Sequence, residues 1–214
     1  VRSAAALIGR AASAHPIGQA VWWNADPTIS WNVSWTVPAD VTAISVVAIG
    51  GGGASYPIWN EEYTEVIGYD YAGTGGLGWI NYVAVTPGES LTVIVSSWAG
   101  SGGSAILRRA STTIVSGGGG SRGDYGGGGG AGYANPAFGT SRGAFNGATQ
   151  LNGAAGAAKY DRNGYDSGAD GPTSLNGMGA SGRLCGAAYP SPAGLRIIWG
   201  DGRAFPNTLT GDIT

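Results

Sequence analysis

Forty-two of the 214 residues are glycine, and many fall in blocks, such as GGGG at 50–53 and SGGGGSRGDYGGGGGAG at 116–132. That is about a fifth of the chain, against ~7 % in ordinary proteins. Glycine disfavours helix and brings no side chain to a core, so the expected fold has little or no helix. Disorder is the competing expectation. The chain is, however, 43 % hydrophobic with eight Trp and ten Tyr, whereas disordered chains are poor in aromatics and rich in charge. This chain folds.

Between the glycine blocks lie strand patterns. Residues 29–37, ISWNVSWTV, alternate apolar and polar without a break, the period-two signature of a half-buried strand. After the turn at 38–40, the β-branched run VTAISVVAI (41–49) reads as a buried strand. Further strands are expected at 78–85 and 91–95, across a turn made by Thr86-Pro87-Gly88-Glu89. Another hairpin is expected from 104–107 and 112–115. Six short strands spaced by about 8 to 12 residues predict an antiparallel β-sandwich, jelly-roll-like, over 29–116. The run Leu195-Arg196-Ile197-Ile198-Trp199 is expected to return and close that domain, with 195–214 as closing strand and tail.

The intervening segment 117–194 is about one-third glycine. One reading is a flexible linker. The other is a compact array in which backbones approach closely because no side chains intervene. Phe138, Phe145, Leu151, Tyr160, Tyr165, Leu175 and Met178 recur through it, which a pure spacer would not need. The expectation is therefore an ordered but largely irregular excursion from one β domain. The start, VRSAAALIGRAASAHPIG (1–18), has the basic and small residues of a signal peptide with too short an apolar run, and reads equally as an N-terminal anchoring strand; residues 1–28 as a whole read as an N-terminal docking segment. Trp22 and Trp23, too hydrophobic for a free terminus, are the candidates for assembly docking.

The order WTVPADVTAISVVAIGGGG (35–53), YVAVTPGESLTVIV (82–95), RRASTTIVSGGGG (108–120) and LRIIWGDGRAFPNT (195–208) resembles the glycine-rich structural proteins of tailed bacteriophages. The closing motif is the most specific part. The resemblance implies a virion component of tail-fibre, tail-tip or adhesin type, located on the surface of the extracellular particle. It further implies other virion proteins as partners and a homo-oligomer, a trimer being favoured. The resemblance gives no receptor; a host surface glycan or outer-membrane component is a candidate target that the aromatic stretch at 54–73 could recognise. This chain departs from the pattern by having fewer pure glycine runs and a Tyr/Trp/Glu stretch in place of some.

Chemistry is sparse. Only 11 % of residues are charged and the net charge is −2, so there is no basic field to hold phosphates and no nucleic-acid partner is expected. No run approaches the ~18 apolar residues of a membrane-spanning helix, and no membrane insertion is expected. His15 is the single histidine and Cys185 the single cysteine, and no G-x-S-x-G elbow accompanies them. Glu61 and Glu62 are adjacent, and adjacent strand residues face opposite ways, which argues against a glycosidase pair. Gly73-Thr74-Gly75-Gly76-Leu77-Gly78 matches G-x-G-x-x-G but precedes a strand, not the helix a dinucleotide site requires. Asp161 to Asp170 offers oxygen ligands without the EF-hand spacing. Arg122-Gly123-Asp124 and the sequon Asn32-Val33-Ser34 arise easily by chance. The expectation is no catalytic site, no metal and no cofactor.

One stretch breaks the monotony. ASYPIWNEEYTEVIGYDYAG (54–73) concentrates Tyr56, Trp59, Tyr63, Tyr69 and Tyr71 beside Glu61, Glu62, Glu65 and Asp70. Lying between two strands and bounded by glycine, it is expected at the end of a hairpin. Tyr and Trp supply rigid amphipathic contact area, and carboxylates accept hydrogen bonds from sugar hydroxyls. The residues Tyr56, Trp59, Glu61, Glu62, Tyr63, Glu65, Tyr69 and Tyr71 are therefore candidates for receptor or subunit contact. Three functions remain open: a host-binding fibre protein, a virion building block such as a head fibre, decoration or baseplate protein, and a secreted bacterial surface protein.

Overall fold

The structure is a computed structural model and describes residues 16–23, 30–54, 56–70, 73, 75–96, 101–122, 130–145 and 193–205. Among these residues there is no helix. In chain order the first strands are β1 (Gly18–Trp23), β2 (Trp31–Thr36), β3 (Ala43–Ile49), β4 (Tyr56–Trp59), β5 (Val66–Asp70) and β6 (Leu77–Ala84). Then come β7 (Ser90–Val95), β8 (Ala105–Arg109), β9 (Thr112–Gly117), β10 (Gly132–Ala134), β11 (Ser141–Phe145) and β12 (Gly194–Trp199). Two five-stranded antiparallel sheets result, ordered β1-β12-β3-β6-β11 and β10-β9-β8-β7-β2, with β4-β5 as a separate pair.

The pairings nest. β4 pairs with β5, β3 with β6, β2 with β7 and β1 with β12, and the three outer pairs alternate between the two large sheets. A long hairpin rolled over on itself in this way is the jelly-roll plan. In a complete roll the innermost pair would extend the sheet beside β7. Here β8, β9 and β10 take that place as a meander, leaving β4-β5 as its own sheet.

One core fills the space between the sheets. Val46, Ala48, Ile80, Val83, Leu195 and Ile197 from the first sheet pack with Leu91, Val93, Val95, Leu107, Ile114 and Val115 from the second. The alternation in β7, buried at Leu91, Val93 and Val95, is what places every second residue inside. β3 is buried on both faces from Ile44 to Ile49, because its outer face is covered as well. There Val47, Ile49, Leu77 and Ile198 meet Phe205 and the half-buried Trp79.

The closing motif supplies that cover. After the turn at 200–202, Ser45 Oγ donates to the Arg203 carbonyl at 3.0 Å. Asn81 Nδ2 donates to the Phe205 carbonyl at 2.7 Å, and the Phe205 amide donates back to Asn81 Oδ1 at 2.8 Å. Arg203 Nη1 donates to the Gly18 carbonyl at 2.6 Å, and the buried Arg196 donates to Gln19 Oε1 at 2.7 Å. Between the sheets, Trp35 packs edge-on to Trp22, centroids 6.3 Å apart, and lies 5.8 Å from Trp199. Trp22 is thus occupied within its own chain, so its hydrophobicity is accounted for without a docking partner. Within this terminal segment Gly18–Trp23 form β1, paired along its whole length with β12; residues 1–15 lie outside the described residues.

The Pro-Gly-Glu turn is held by the salt bridge among the described residues. Arg109 Nε lies 2.5 Å from Glu89 Oε1, and Arg109 Nη2 donates to the Ala84 carbonyl at 2.7 Å. The Thr86 amide donates to Glu89 Oε2 at 2.9 Å, and the guanidinium sits over the Phe138 ring, 5.2 Å from its centroid. Arg108, by contrast, has a buried Nε without a hydrogen-bond partner. Arg109 and Arg203 thus each anchor a backbone carbonyl, of Ala84 and of Gly18.

At one end of the sandwich the glycine blocks from both sheets converge. Gly50 N donates to Gly76 O at 2.8 Å, Gly51 N to Gly103 O at 2.9 Å and Gly53 N to Gly73 O at 3.0 Å. Gly76 N donates to Gly118 O, Gly102 N to Gly120 O and Gly118 N to Ala131 O, each at 2.8 Å, and Gly120 N to Gly51 O at 2.9 Å. Successive residues of a strand reach only two neighbours; here the segment at 118–121 bonds to four others, at 51, 73–76, 102 and 131, as a threefold extended helix allows. A Cβ on Gly75 would coincide with the carbonyl oxygen of Gly50, and one on Gly119 with that of Gly102. Neither has a positive φ. What these two glycines supply is the missing side chain.

The linker reading is thereby excluded for 117–122 and 130–131. Part of the segment expected to be irregular is also regular: β10 joins one sheet beside β9 and β11 the other beside β6. Residues 146–192, including the Asp161–Asp170 loop and Cys185, lie outside the described residues, as does His15.

Gly75→Ala and Gly119→Ala are expected to lose more than about 3 kcal/mol each or fail to fold, since backbone cannot yield as a side chain can. Gly88→Ala, at φ 79° with open space around it, is expected to cost about 1–2 kcal/mol; urea unfolding checks both. A second expectation concerns acid. Burial pushes the Glu89 carboxyl up, but hydrogen bonds from the Thr86 amide and Arg109, with the Arg109 charge, hold it below its ordinary 4.5. A carboxylate with a depressed folded-state pKa binds fewer protons folded than unfolded. Its stabilisation is therefore complete above the ordinary value and is lost as pH falls through the folded one. Unfolding midpoints measured from pH 7 to pH 3 should fall in that acid range, and Glu89→Gln should flatten the fall.

Candidate functional site

The insertion between β3 and β6 begins and ends in the glycine cap. Gly53 donates to Gly73 across its base, and the Gly73 amide donates to the Ser121 carbonyl at 2.9 Å. The hairpin therefore rises from a hydrogen-bonded footing. β4 and β5 then pair through Tyr56↔Asp70, Pro57↔Tyr69, Ile58↔Gly68 and Trp59↔Val66. The register shifts between Ile58 and Trp59, leaving Ile67 without a cross-strand partner residue. A bulge of this kind re-aims a side chain, and Ile67 is 65 % exposed.

The tip is built by Asn60. Its amide donates to the Glu65 carbonyl at 2.9 Å, and its carbonyl accepts from the Tyr63 amide at 2.9 Å. Its Oδ1 accepts from the Thr64 amide at 2.8 Å and the Glu65 amide at 3.3 Å, while Nδ2 donates to Thr64 Oγ1 at 2.9 Å. Asparagine closing a turn with its own side chain is a local device that needs no core. Tyr63 adopts a left-handed backbone, φ 54°, unusual for a bulky residue. It is also the most exposed large hydrophobic side chain among the described residues, at 79 %.

The tip thus gathers Trp59, Tyr63 and Ile67, all exposed, with exposed Glu61, Glu62 and Glu65. Glu61 and Glu62 lie in the turn, so the expectation that they face opposite sides of a strand is corrected. Tyr56 lies in β4 and Tyr69 in β5; Tyr71 lies outside the described residues. Ile67 and Asn60 were not among the sequence-derived candidates. Asn60 was legible as a polar turn-former four residues before Thr64, whereas the exposure of Ile67 depends on a register shift that no sequence pattern announces.

Chemically, this is an aromatic and aliphatic surface fringed by carboxylates, suited to contact with a protein or sugar face and lacking a cation among its described residues. The G-x-G-x-x-G match resolves into the glycine cap followed by β6, as expected of a structural turn. The sequon Asn32-Val33-Ser34 lies within β2. No protein-family model matches the chain, and no curated protein matches it.

Proposed function

We propose that this chain is a non-enzymatic structural protein of a bacteriophage virion, of tail-fibre or tail-tip type, whose β4-β5 hairpin contributes to host attachment. The observation that carries the reading is the hairpin itself. A pair that the jelly-roll plan would bury in a sheet stands apart from both sheets, mounted on a rigid base. It exposes Trp59, Tyr63 and Ile67 at its tip. Exposed large apolar groups clustered in this way mark interaction surfaces, and a tyrosine kept in a left-handed conformation is strain retained for a purpose outside folding.

The motif resemblance supports the virion assignment, and the roles of its residues make the motif physically coherent. Arg203 and Phe205 of the closing sequence seal the outer face of one sheet, and Glu89 of the turn motif anchors Arg109. Its partners on this reading are other virion proteins and further copies of the chain, and its target is a glycan or protein of the host surface.

A second reading has its own observation. β1 is an edge strand whose Val21 is 45 % exposed, and the neighbouring Ile17 is 63 % exposed. An apolar sheet edge fits a neighbouring chain, as in a head-fibre, decoration or baseplate building block.

The test is binding of the labelled protein to a panel of bacterial envelopes, beside a Trp59→Ala/Tyr63→Gly variant. Glycine at position 63 relieves the left-handed strain by about 1 kcal/mol, so the variant should fold at least as well as the parent. Strain-selective binding that falls about tenfold or more in the variant is the expected outcome. Absence of binding by the assembled parent protein would overturn host attachment and favour the building-block reading.

A further inference from the structure

The sandwich has a second end, remote from the glycine cap. The chain enters β3, leaves β6 and leaves β12 there, because Ile44 pairs with Val83 and Ile198 with Ser45, whereas Ile49 pairs with Leu77 and Gly194 at the cap. Between these termini lies a cavity of about 240 Å³, lined by Pro16, Asp40, Thr42, Tyr82, Trp199 and Asp201 among others. It is smaller than the ~300–1,000 Å³ of pockets for drug-sized ligands, and its size suits a single ring.

Two of its residues hold left-handed backbone, Asp40 at φ 65° and Tyr82 at φ 55°. For an aspartate in a turn this is ordinary, but for a tyrosine within a strand it is a strained outlier. The cause is local. Asn81 and Tyr82 together oppose the single residue Ser45, a bulge in the β3-β6 ladder. Asn81 is fixed by its two hydrogen bonds to Phe205, so the extra residue is Tyr82, which is 44 % exposed. Bulges gather at binding sites because they re-aim a side chain. Here the side chain lines the cavity.

Trp199 also borders the cavity. A Cβ on Gly18 would run into the indole of Trp199, so the ring lies against the backbone of β1, and Trp35 packs beside it. The ring is therefore held in place before any ligand arrives, which lowers the entropic cost of binding. Asp40 and Asp201 are exposed carboxylates, acceptors for hydroxyl groups. Among the described residues lining the cavity there is no Lys, Arg or His, so an anion would meet two negative charges and no cation.

Tyr82 for an apolar C–H face, carboxylates for hydroxyls and a one-ring volume define a ligand class. We propose that this cavity is a binding subsite for a neutral pyranose unit of a saccharide. The site is distinct from the hairpin, lies at the opposite end of the sandwich, and does not depend on the host-attachment reading.

Saturation-transfer NMR and calorimetry on the full chain test this with methyl glycosides of glucose, galactose, mannose, rhamnose and N-acetylglucosamine. Two variants accompany the parent: Tyr82→Gly, which relieves the backbone strain and so preserves folding, and Asp201→Asn. At least one glycoside is expected to bind, with affinity falling tenfold or more in Tyr82→Gly and severalfold in Asp201→Asn. The hairpin variant Trp59→Ala/Tyr63→Gly should retain it in full. Binding of none of the five, or binding indifferent to Tyr82→Gly, would overturn the proposal. Binding of tetramethylammonium in their stead, lost in Tyr82→Gly, would overturn the sugar assignment in favour of a cation held by the aromatic rings.

Discussion

Where Gly51 donates to Gly103 and accepts from Gly120, three stretches of backbone meet with no side chain between them. Loops at the end of a sandwich ordinarily sit at the surface and move, because buried backbone without partners is costly. This chain solves the accounting differently. Its loops satisfy one another, segment to segment, and can do so only at the separation that glycine permits. Gly50, Gly51, Gly53, Gly73, Gly76 and Gly103 are all buried as a result. Glycine carries the largest ordering cost of any residue, so the array must be cooperative: each bond fixes a segment that the next bond needs.

From that cap follows the position of the hairpin at its end. The β4-β5 hairpin is displaced from the roll because β8 and β9 occupy its place, and it is steadied because Gly53 and Gly73 clamp its base. A contact surface held on a fixed footing loses less entropy on binding than one on a free loop. The other end is arranged by different means. There side chains act on backbone: Asn81 on Phe205, Ser45 on Arg203, Arg203 on Gly18. In a chain with so few charges, most of the anchoring is done by neutral groups.

The strands were legible in the sequence because period-two alternation and β-branched runs report burial directly. Residues 29–37, 41–49, 78–85 and 195–199 all fall on strands within a residue or two. Alternation tells which face a residue takes and not which strand it pairs with, so the insertion of β12 between β1 and β3 was anticipated only as a return to the first region. Trp22 shows the same limit. Its hydrophobicity was evident, but its partner Trp35 lies on the opposite sheet. The glycine cap was harder still, since glycine leaves no periodicity and a linker has the same composition. Nor could the bulge that throws out Tyr82 be foreseen, because it arises from a register shift against Ser45 and a clamp supplied by Phe205, 124 residues away.

The glycine segments are as much a part of the folded unit as the strands. Native-state hydrogen exchange, read by NMR at the amides of Gly50, Gly51, Gly53, Gly73, Gly76, Gly102, Gly118 and Gly120, tests it most directly. If the cap is cooperative with the sandwich, these amides exchange within about tenfold of the core amides of β3 and β7, through global unfolding. Exchange near the rate of unstructured peptide at these glycines, with β3 and β7 still protected, would show instead that the cap opens independently of the sandwich.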